Sequence, residues 1–338
     1  MKMATDSDVS RRANPMVSVV LSFFNESGVL PELVGRLRKV LRDELARNII
    51  SGYELIFVND ASTDNSVEIL KREFEAARDL VVINMSNNFG VSECVLAGMR
   101  LARGDVVVYM DADLQDPPEI IPELLDQWRA DPEVEVVYTT RLSREGEHPL
   151  KLFVTHIGYK VINKISEIEL PENSGDFKLL SRRVVTELLK MREKKPYLRG
   201  LVTWIGFKQA QVFYHRAERH DGRENTKRSA LSTKIIRYAL DSAIISFSDV
   251  PLKAILFLGF CISFVSLIYI GVVIFQKIMG WYEPGWPALM AAILLLGGIQ
   301  LLMLGFLGLY VNVIFANTKG RPDYIIKNII ANDDRNMP

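Results

Sequence analysis

The chain has 338 residues, room for one large domain or two modest ones, and its 41 Lys+Arg balance 41 Asp+Glu. That balance excludes nucleic-acid binding by bulk attraction, so no nucleic-acid partner is expected. Two cysteines, Cys94 and Cys261, lie in dissimilar surroundings with no Cys or His at ligand spacing, which points away from a disulfide framework and from a zinc centre.

Residues 1–15 are polar, lack an apolar h-region and read as a disordered tail rather than a secretory signal. From Met16 onward, strands alternate with helices. Residues 17–24 are a continuous apolar run, as expected of a strand covered on both faces, and end at Asn25-Glu26. Leu30, Leu33, Leu37, Val40 and Leu41 then recur at helical spacing. A second buried strand, 53–58, closes on Asn59-Asp60-Ala61-Ser62-Thr63-Asp64, where Thr63 or Asp64 can cap the next helix. A third, 80–85, leads through Asn87-Asn88-Phe89-Gly90 into another helix; a fourth covers 106–110 and a fifth 135–140. The alternation predicts an α/β fold, a mostly parallel Rossmann-like sheet wrapped by helices, with ligands at the carboxyl ends of its strands.

The fourth strand ends abruptly in Asp111-Ala112-Asp113-Leu114-Gln115-Asp116-Pro117-Pro118. Alternation along an extended segment would put Asp111 and Asp113 on one side. Two ionised carboxylates there need a cation, and paired hard oxygens suit Mg²⁺ or Mn²⁺, which can also grip a substrate diphosphate. The blander alternative is an acidic loop at the start of the helix that Pro117 and Pro118 open. Asn25-Glu26, Asp60, Asn87-Asn88 and the Asp111/Asp113 pair all fall where a strand stops, so one rim of the sheet collects polar and acidic groups.

Past residue 140 the pattern loosens. Residues 149–168 are amphipathic, with Leu152, Phe153, Ile157, Val161, Ile162 and Ile165 opposite Lys151, Lys160 and Lys164, which suits a membrane interface or, equally, a core helix. Arg182-Arg183 opens a helix to about residue 191, and 197–207 and 209–215 read as sheet or loop. Residues 216–228 carry Arg216, Arg219, Arg223, Lys227 and Arg228 around Gly222 with little to pack, as in a mobile basic loop facing an anion or a plain solvated connector.

Residues 252–275 and 288–316 form the two most apolar stretches, each longer than the roughly 20 residues that cross a bilayer as a helix. Trp281, Tyr282 and Trp286 between them suit the far headgroup layer. Lys234, Arg237 and Lys253 before the hairpin, and Lys319, Arg321 and Lys327 after it, place both flanks in the cytoplasm by the positive-inside bias. The expected organisation is a tail (1–15), a cytoplasmic domain (16–228), an interfacial amphipathic helix (229–249), a transmembrane hairpin (250–318) and a cytoplasmic C-terminal tail (319–338), making a multi-pass protein of the inner, plasma membrane. Small residues at Gly259, Ser263, Gly298, Gly305 and Gly308 would let helices approach closely, within the chain or between subunits of a homo-dimer or tetramer.

With these residues assembled, the chain resembles family 2 glycosyltransferases of the inverting, nucleotide-sugar-dependent GT-A type. More narrowly it is similar to polyprenyl-phosphate glycosyltransferases, such as dolichol-phosphate mannose synthases and the bacterial enzymes that load glucose or an aminosugar onto undecaprenyl phosphate. The matching features come in order: Asn25-Glu26, the turn from Asn59 to Asp64, Asn88-Phe89-Gly90, the segment from Asp111 to Pro118, a Gly175-Asp176-Phe177 turn, the paired apolar helices and Arg321-Pro322. The family often has Gly where Ala61 stands, Arg where Lys178 stands and a shorter loop than residues 219–228, in which Arg228 replaces an aromatic.

The resemblance implies hexosyl transfer from a nucleotide-diphosphate sugar, most simply a UDP-sugar, to a polyprenyl phosphate in the membrane, with inversion. Phe24, Asn25, Glu26, Asp60, Asn88, Asp111 and Ala112 would hold the donor nucleotide. Asp113, with Gln115, would bind Mg²⁺ or Mn²⁺, and Asp111, Asp113 and Asp176 would be the catalytic acids, Asp176 as base or as orienting group. Arg141, Lys178, Arg182, Arg219 and Lys227 are the candidate cations for the acceptor phosphate. Two rivals stand beside this: a processive polysaccharide synthase, which usually has a Gln-x-x-Arg-Trp motif and more membrane helices, and a non-catalytic membrane scaffold with a degenerate transferase domain.

Overall fold

A computed structural model describes residues 12–142, 174–191, 193–194, 196–216, 250–281 and 285–332. The strands are β1 (Met16–Phe23), β2 (Gly52–Asn59), β3 (Leu80–Met85), β4 (Val106–Asp111), β5 (Val134–Arg141), β6 (Ser174–Ser181), β7 (Lys208–Tyr214) and β8 (Ile326–Ile330). The helices, in order, are α1 (Leu30–Ala46), α2 (Ser66–Ala77), α3 (Val91–Leu101), α4 (Ile121–Ala130), α5 (Arg182–Leu188), α6 (Leu198–Trp204), α7 (Val250–Ile278) and α8 (Trp286–Thr318).

One eight-stranded sheet runs β7-β5-β6-β4-β1-β2-β3-β8. It is mixed rather than mostly parallel. β1 pairs in parallel with β2 and β4, β2 with β3, and β5 with β7, whereas β6 runs antiparallel to β4 and β5, and β8 antiparallel to β3.

Period-two alternation divides the buried side chains into two layers. Val17, Val19 and Leu21 of β1 pack with Leu33, Leu37 and Leu41 of α1 and with Leu124, Leu125 and Trp128 of α4 on one face. Val20, Ile56, Val58 and Tyr109 pack with Cys94, Val95 and Ala97 of α3, and with α5 and α6, on the other. At Gly98, α3 comes so near β1 that an added Cβ would overlap Val20 Cγ1, so this crossing requires glycine. Both cysteines are free thiols, and Cys94 is a buried packing residue.

Three segments depart from the sequence expectation. Gly175-Asp176-Phe177 is not a turn but part of β6, inserted between β4 and β5, with Phe177 and Leu179 buried on one face and Leu180 on the other. Two polar residues, Asp176 and Lys178, interrupt the apolar run that would have marked a strand. Within 197–207, Leu198, Leu201 and Val202 are buried at helical spacing and form α6, too short for its periodicity to stand out. Residues 319–338 are not simply a tail, because Ile326–Ile330 returns to the sheet as its edge strand β8.

The apolar C-terminal stretches form α7, of 29 residues, and α8, of 33. Among the described residues, one segment, Leu295–Thr318, has the length and apolarity to cross a membrane. The α8 end is tied to the domain: Lys194 N–H donates to Asn317 Oδ1 at 2.9 Å, and Lys194 Nζ pairs with Asp323. The amphipathic stretches 149–168 and 229–249 lie outside the described residues.

Candidate active site

Strand direction assembles the site. β1, β2, β4, β5 and β7 all bring their carboxyl ends to one rim, and antiparallel β6 brings its amino end there. The register Tyr109↔Lys178 then sets Asp176 level with Asp111, two residues on along β4 and two residues back along antiparallel β6.

The half of the rim at β1, β2 and β4 is built by side chains that bind nearby backbone. Asn25 adopts φ +59°, its N–H donates to Ser62 Oγ at 3.0 Å, and its Oδ1 accepts from Thr63 N–H at 2.7 Å. Ser27 N–H and Ser66 N–H both donate to the Asp64 carboxylate at 3.1 Å, so Asp64 rather than Thr63 fastens the start of α2. Hydrogen bonds from Ser66 and Ser27 outweigh burial and hold Asp64 below its usual pKa. Asp60 is turned inward, accepting from Phe89 N–H at 2.7 Å and Gly90 N–H at 3.1 Å, while Asn88 Nδ2 donates to the Asp60 carbonyl at 3.2 Å. Asp60 therefore fixes the entry to α3, and any contact with a nucleoside adds to that structural job. Phe24 is exposed at the loop edge, and the Glu26 backbone N–H donates to Ser66 Oγ at 3.1 Å.

Backbone strain gathers at the same rim. Of the five non-glycine residues with positive φ among the described residues, Asn25, Ala61 and Leu114 follow β1, β2 and β4. Asp113 is not on an extended segment, as strict alternation from Asp111 would require. Its Oδ1 accepts from Gln115 N–H at 3.1 Å beside the left-handed Leu114. Asp111 and Asp113 are nonetheless held close. Asp111 has its pKa pushed up to about 7 by burial and then by the charges of Asp176, Asp113 and Asp116, against Arg199. Ala112 and Gln115 are both buried. Among the described residues there is no group of three or more acidic, His or Cys side chains of metal-holding geometry. Two carboxylates with a neutral amide fit an ion that completes its shell with water and substrate phosphate.

The half at β6, β5 and β7 is built by charges that meet across long sequence separations. Asp176 receives both arms of Arg199 from α6, with Arg199 Nε at 2.7 Å from Oδ1. Burial would raise the Asp176 pKa, but hydrogen bonds and charge from Arg199, with Lys178 and Arg141, hold it lowered. Lys178 is buried on β6, and burial lowers its pKa to about 8 despite Asp176. Arg141 ends β5, with its Nε donating to Tyr214 Oη at 3.1 Å.

Arg182 is not brought to this site. It donates to the Gly104 carbonyl at 2.9 Å, just before β4, because β6 has by then run to the opposite end of the sheet. Arg219 and Lys227 lie outside the described residues. The sequence reading missed Arg199, Tyr214 and the pairing of Arg216 with Asp116. One signal was available: Arg199 is the single charged residue in 197–207.

The rim thus has crowded acids at one end and clamped cations at the other. The glycosyl transferase family 2 model matches residues 18–189, half of the chain. A Synechocystis sp. protein described as an uncharacterized glycosyltransferase is 39% identical over 93% of this chain and 95% of its own length. A prophage bactoprenol glucosyl transferase homolog of Escherichia coli is 35% identical over 93% and 99%. Among solved structures, a mannosyltransferase of Pyrobaculum calidifontis in complex with GDP-Man and Mn²⁺ is 18% identical, covering 90% of this chain and 87% of that one with a TM-score of 0.46. The chain belongs to glycosyl transferase family 2 and is a glycosyltransferase with a GT-A-like mixed-sheet domain.

Proposed function

We propose that this enzyme transfers a hexosyl group from a nucleotide-diphosphate sugar, a UDP-sugar in the simplest case, to a polyprenyl phosphate at the cytoplasmic face of the membrane, with inversion. The observation that carries the reading is the division of one rim: acids at the end of β4 face cations gathered at β6, β5 and β7, with Asp111 and Asp176 level with each other at the junction. Relatives named bactoprenol glucosyl transferase, aligned over nearly their whole length, support the lipid acceptor.

Phe24, Asn25, Glu26, Asp60, Asn88, Asp111 and Ala112 line the donor half and serve the nucleotide. Asp113, with Gln115, is the seat for Mg²⁺ or Mn²⁺, which when bound offsets charge on the departing diphosphate. A phosphomonoester has a second pKa of about 6, so the acceptor is largely dianionic at neutral pH and has little proton to lose. Asp176, gripped in both arms of Arg199 and held ionised, orients the reactants; an acceptor phosphate oxygen then bonds to the anomeric carbon as the diphosphate leaves. Arg141 and Lys178 supply positive potential on the acceptor side, joined by Arg219 and Lys227.

The organisation follows the same reading: catalytic domain 16–228, interfacial segments 149–168 and 229–249, and a hairpin at 250–318. Helices of 29 and 33 residues are each longer than about 40 Å at 1.5 Å per residue, against a hydrocarbon layer of roughly 30 Å. The return of the chain from α8 into β8 favours a catalytic sheet on the side where the hairpin ends.

The test is a donor panel of UDP- and GDP-sugars given to the purified full-length enzyme with Mg²⁺ or Mn²⁺ and a short polyprenyl phosphate. A lipid-linked monosaccharide is expected. Absence of product from every donor, with folded enzyme, would remove the reading.

A further inference from the structure

Asp116 is the acid of the segment after β4 that this scheme leaves without a role. It is completely buried, and among the described residues its Oδ2 has no hydrogen-bond partner. Its Oδ1 accepts a hydrogen bond from the Tyr214 hydroxyl at the end of β7. Two guanidinium groups approach that same oxygen and stop short of hydrogen-bond length. Arg141 Nη2, from the end of β5, and Arg216 Nε, just after β7, both stand 3.8 Å away. Arg216 Nε is itself buried with no hydrogen-bond partner among the described residues.

Tyr214 locks the group. Its hydroxyl accepts from Arg141 Nε at 3.1 Å, its ring meets Phe177 edge-on with centroids 6.2 Å apart, and Arg141 is its register partner across the strands. Burial and the Asp116 charge push the Tyr214 pKa up to about 12, so its hydroxyl keeps its proton and stays a donor. A buried carboxylate that neutralises two arginines without binding either one closely is a poor device for stability alone, because breaking or under-satisfying buried charge is costly. It is a good device for keeping guanidinium N–H groups available to an incoming anion.

We infer that Asp116 and Tyr214 are positioning residues that hold Arg141 and Arg216 as a two-arginine cradle for the acceptor's phosphate. The inference rests on the lipid-phosphate reading above and adds Arg216 to the binding set. Two planar forks set side by side match the oxygens of a dianionic phosphate better than mobile point charges do. Asp116 directly follows Gln115, so the loop that seats the donor's metal also sets the acceptor cradle, fixing one reactant against the other.

The experiment is steady-state kinetics on full-length Tyr214→Phe, Arg216→Met and Asp116→Asn enzymes, varying the polyprenyl phosphate and the sugar nucleotide separately. Tyr214→Phe and Arg216→Met are expected to raise the acceptor KM about tenfold, leaving the donor KM and the saturated kcat within about twofold, as for loss of uniform binding. Arg216→Lys should recover only part of the defect, because it restores charge without the fork. If Asp116→Asn does not fold, the other two variants decide. Unchanged acceptor KM in both, in an enzyme that glycosylates polyprenyl phosphate, would overturn the cradle while leaving the function intact. A parental enzyme inactive on every polyprenyl phosphate would remove the function and the cradle with it.

Discussion

The two halves of the active rim are built on different principles. At β1, β2 and β4, polar side chains bind the backbone of neighbouring loops: Asn25 to Thr63, Asp64 to Ser27 and Ser66, Asp60 to Phe89 and Gly90. Left-handed residues sharpen those turns. At β6, β5 and β7, whole charges meet from distant elements, Asp176 with Arg199 and Asp116 with Arg141 and Arg216, the neutral Tyr214 hydroxyl donating to Asp116 between them. The first half makes a rigid cup from parallel βα units; the second, where the sheet turns antiparallel, makes an electrostatic gradient. On the function proposed above both are needed, because one anion must be gripped through its leaving group while the other is drawn up against it.

The sharpest way to break this comparison is Asp113→Ala, on the donor half. Transfer with Mg²⁺ or Mn²⁺ is expected to fall by about 10²–10³-fold, measured as labelled sugar entering the lipid, since an electrostatic contribution of several kcal/mol to the leaving group is lost. Near-parental transfer would take the metal away from these acids.

Next is Asp176→Asn, which leaves Arg199 facing a neutral group. A fall in kcat of about 10²-fold is expected, of the size that positioning supplies, and it should not ease as pH is raised from 6 to 9. A defect that recovers with alkalinity would instead make Asp176 the base.

Lys178 tests the cation half through stability. Its folded pKa of about 8 lies below its ordinary 10.5, so below pH 8 both states bind the proton and the burial penalty is carried in full. Between about 8 and 10.5 the unfolded chain holds more protons, and stability rises with pH. Lys178→Met should erase an alkaline gain of about 3 kcal/mol, read as the difference between the two proteins' thermal midpoints in detergent across that window. Parallel pH profiles would show that the lysine is not buried as described.

The smallest effect sharpens the donor half. Ala61 sits at φ +60°, where glycine carries no Cβ penalty, so Ala61→Gly should stabilise by up to about 1 kcal/mol without altering either KM. The glycine often found there in the family has the same explanation.

Legibility followed the same division. The donor half was readable because its buried strands are predominantly apolar and a polar loop follows each at once, most plainly in the residues from Val106 to Asp113. The other half hid itself. Asp176 and Lys178 stand inside a buried strand and so disguised β6 as a turn, and α6 spans only seven residues, so Arg199 had no visible partner. Arg182 was among the candidate acceptor cations, yet eight residues of strand carry it to the opposite end of the sheet from Asp176.

By itself the sequence determined the αβ alternation, the polar strand ends, the Asp111-to-Pro118 segment and the long apolar helices, because each is written in local periodicity. The tertiary structure decided which charges meet. Strand order β4-β6-β5-β7 is not chain order, so the pairing of Asp176 with Arg199, the gathering of Tyr214, Arg141 and Arg216 around Asp116, and the return of β8 to the sheet exist only once distant segments share an edge.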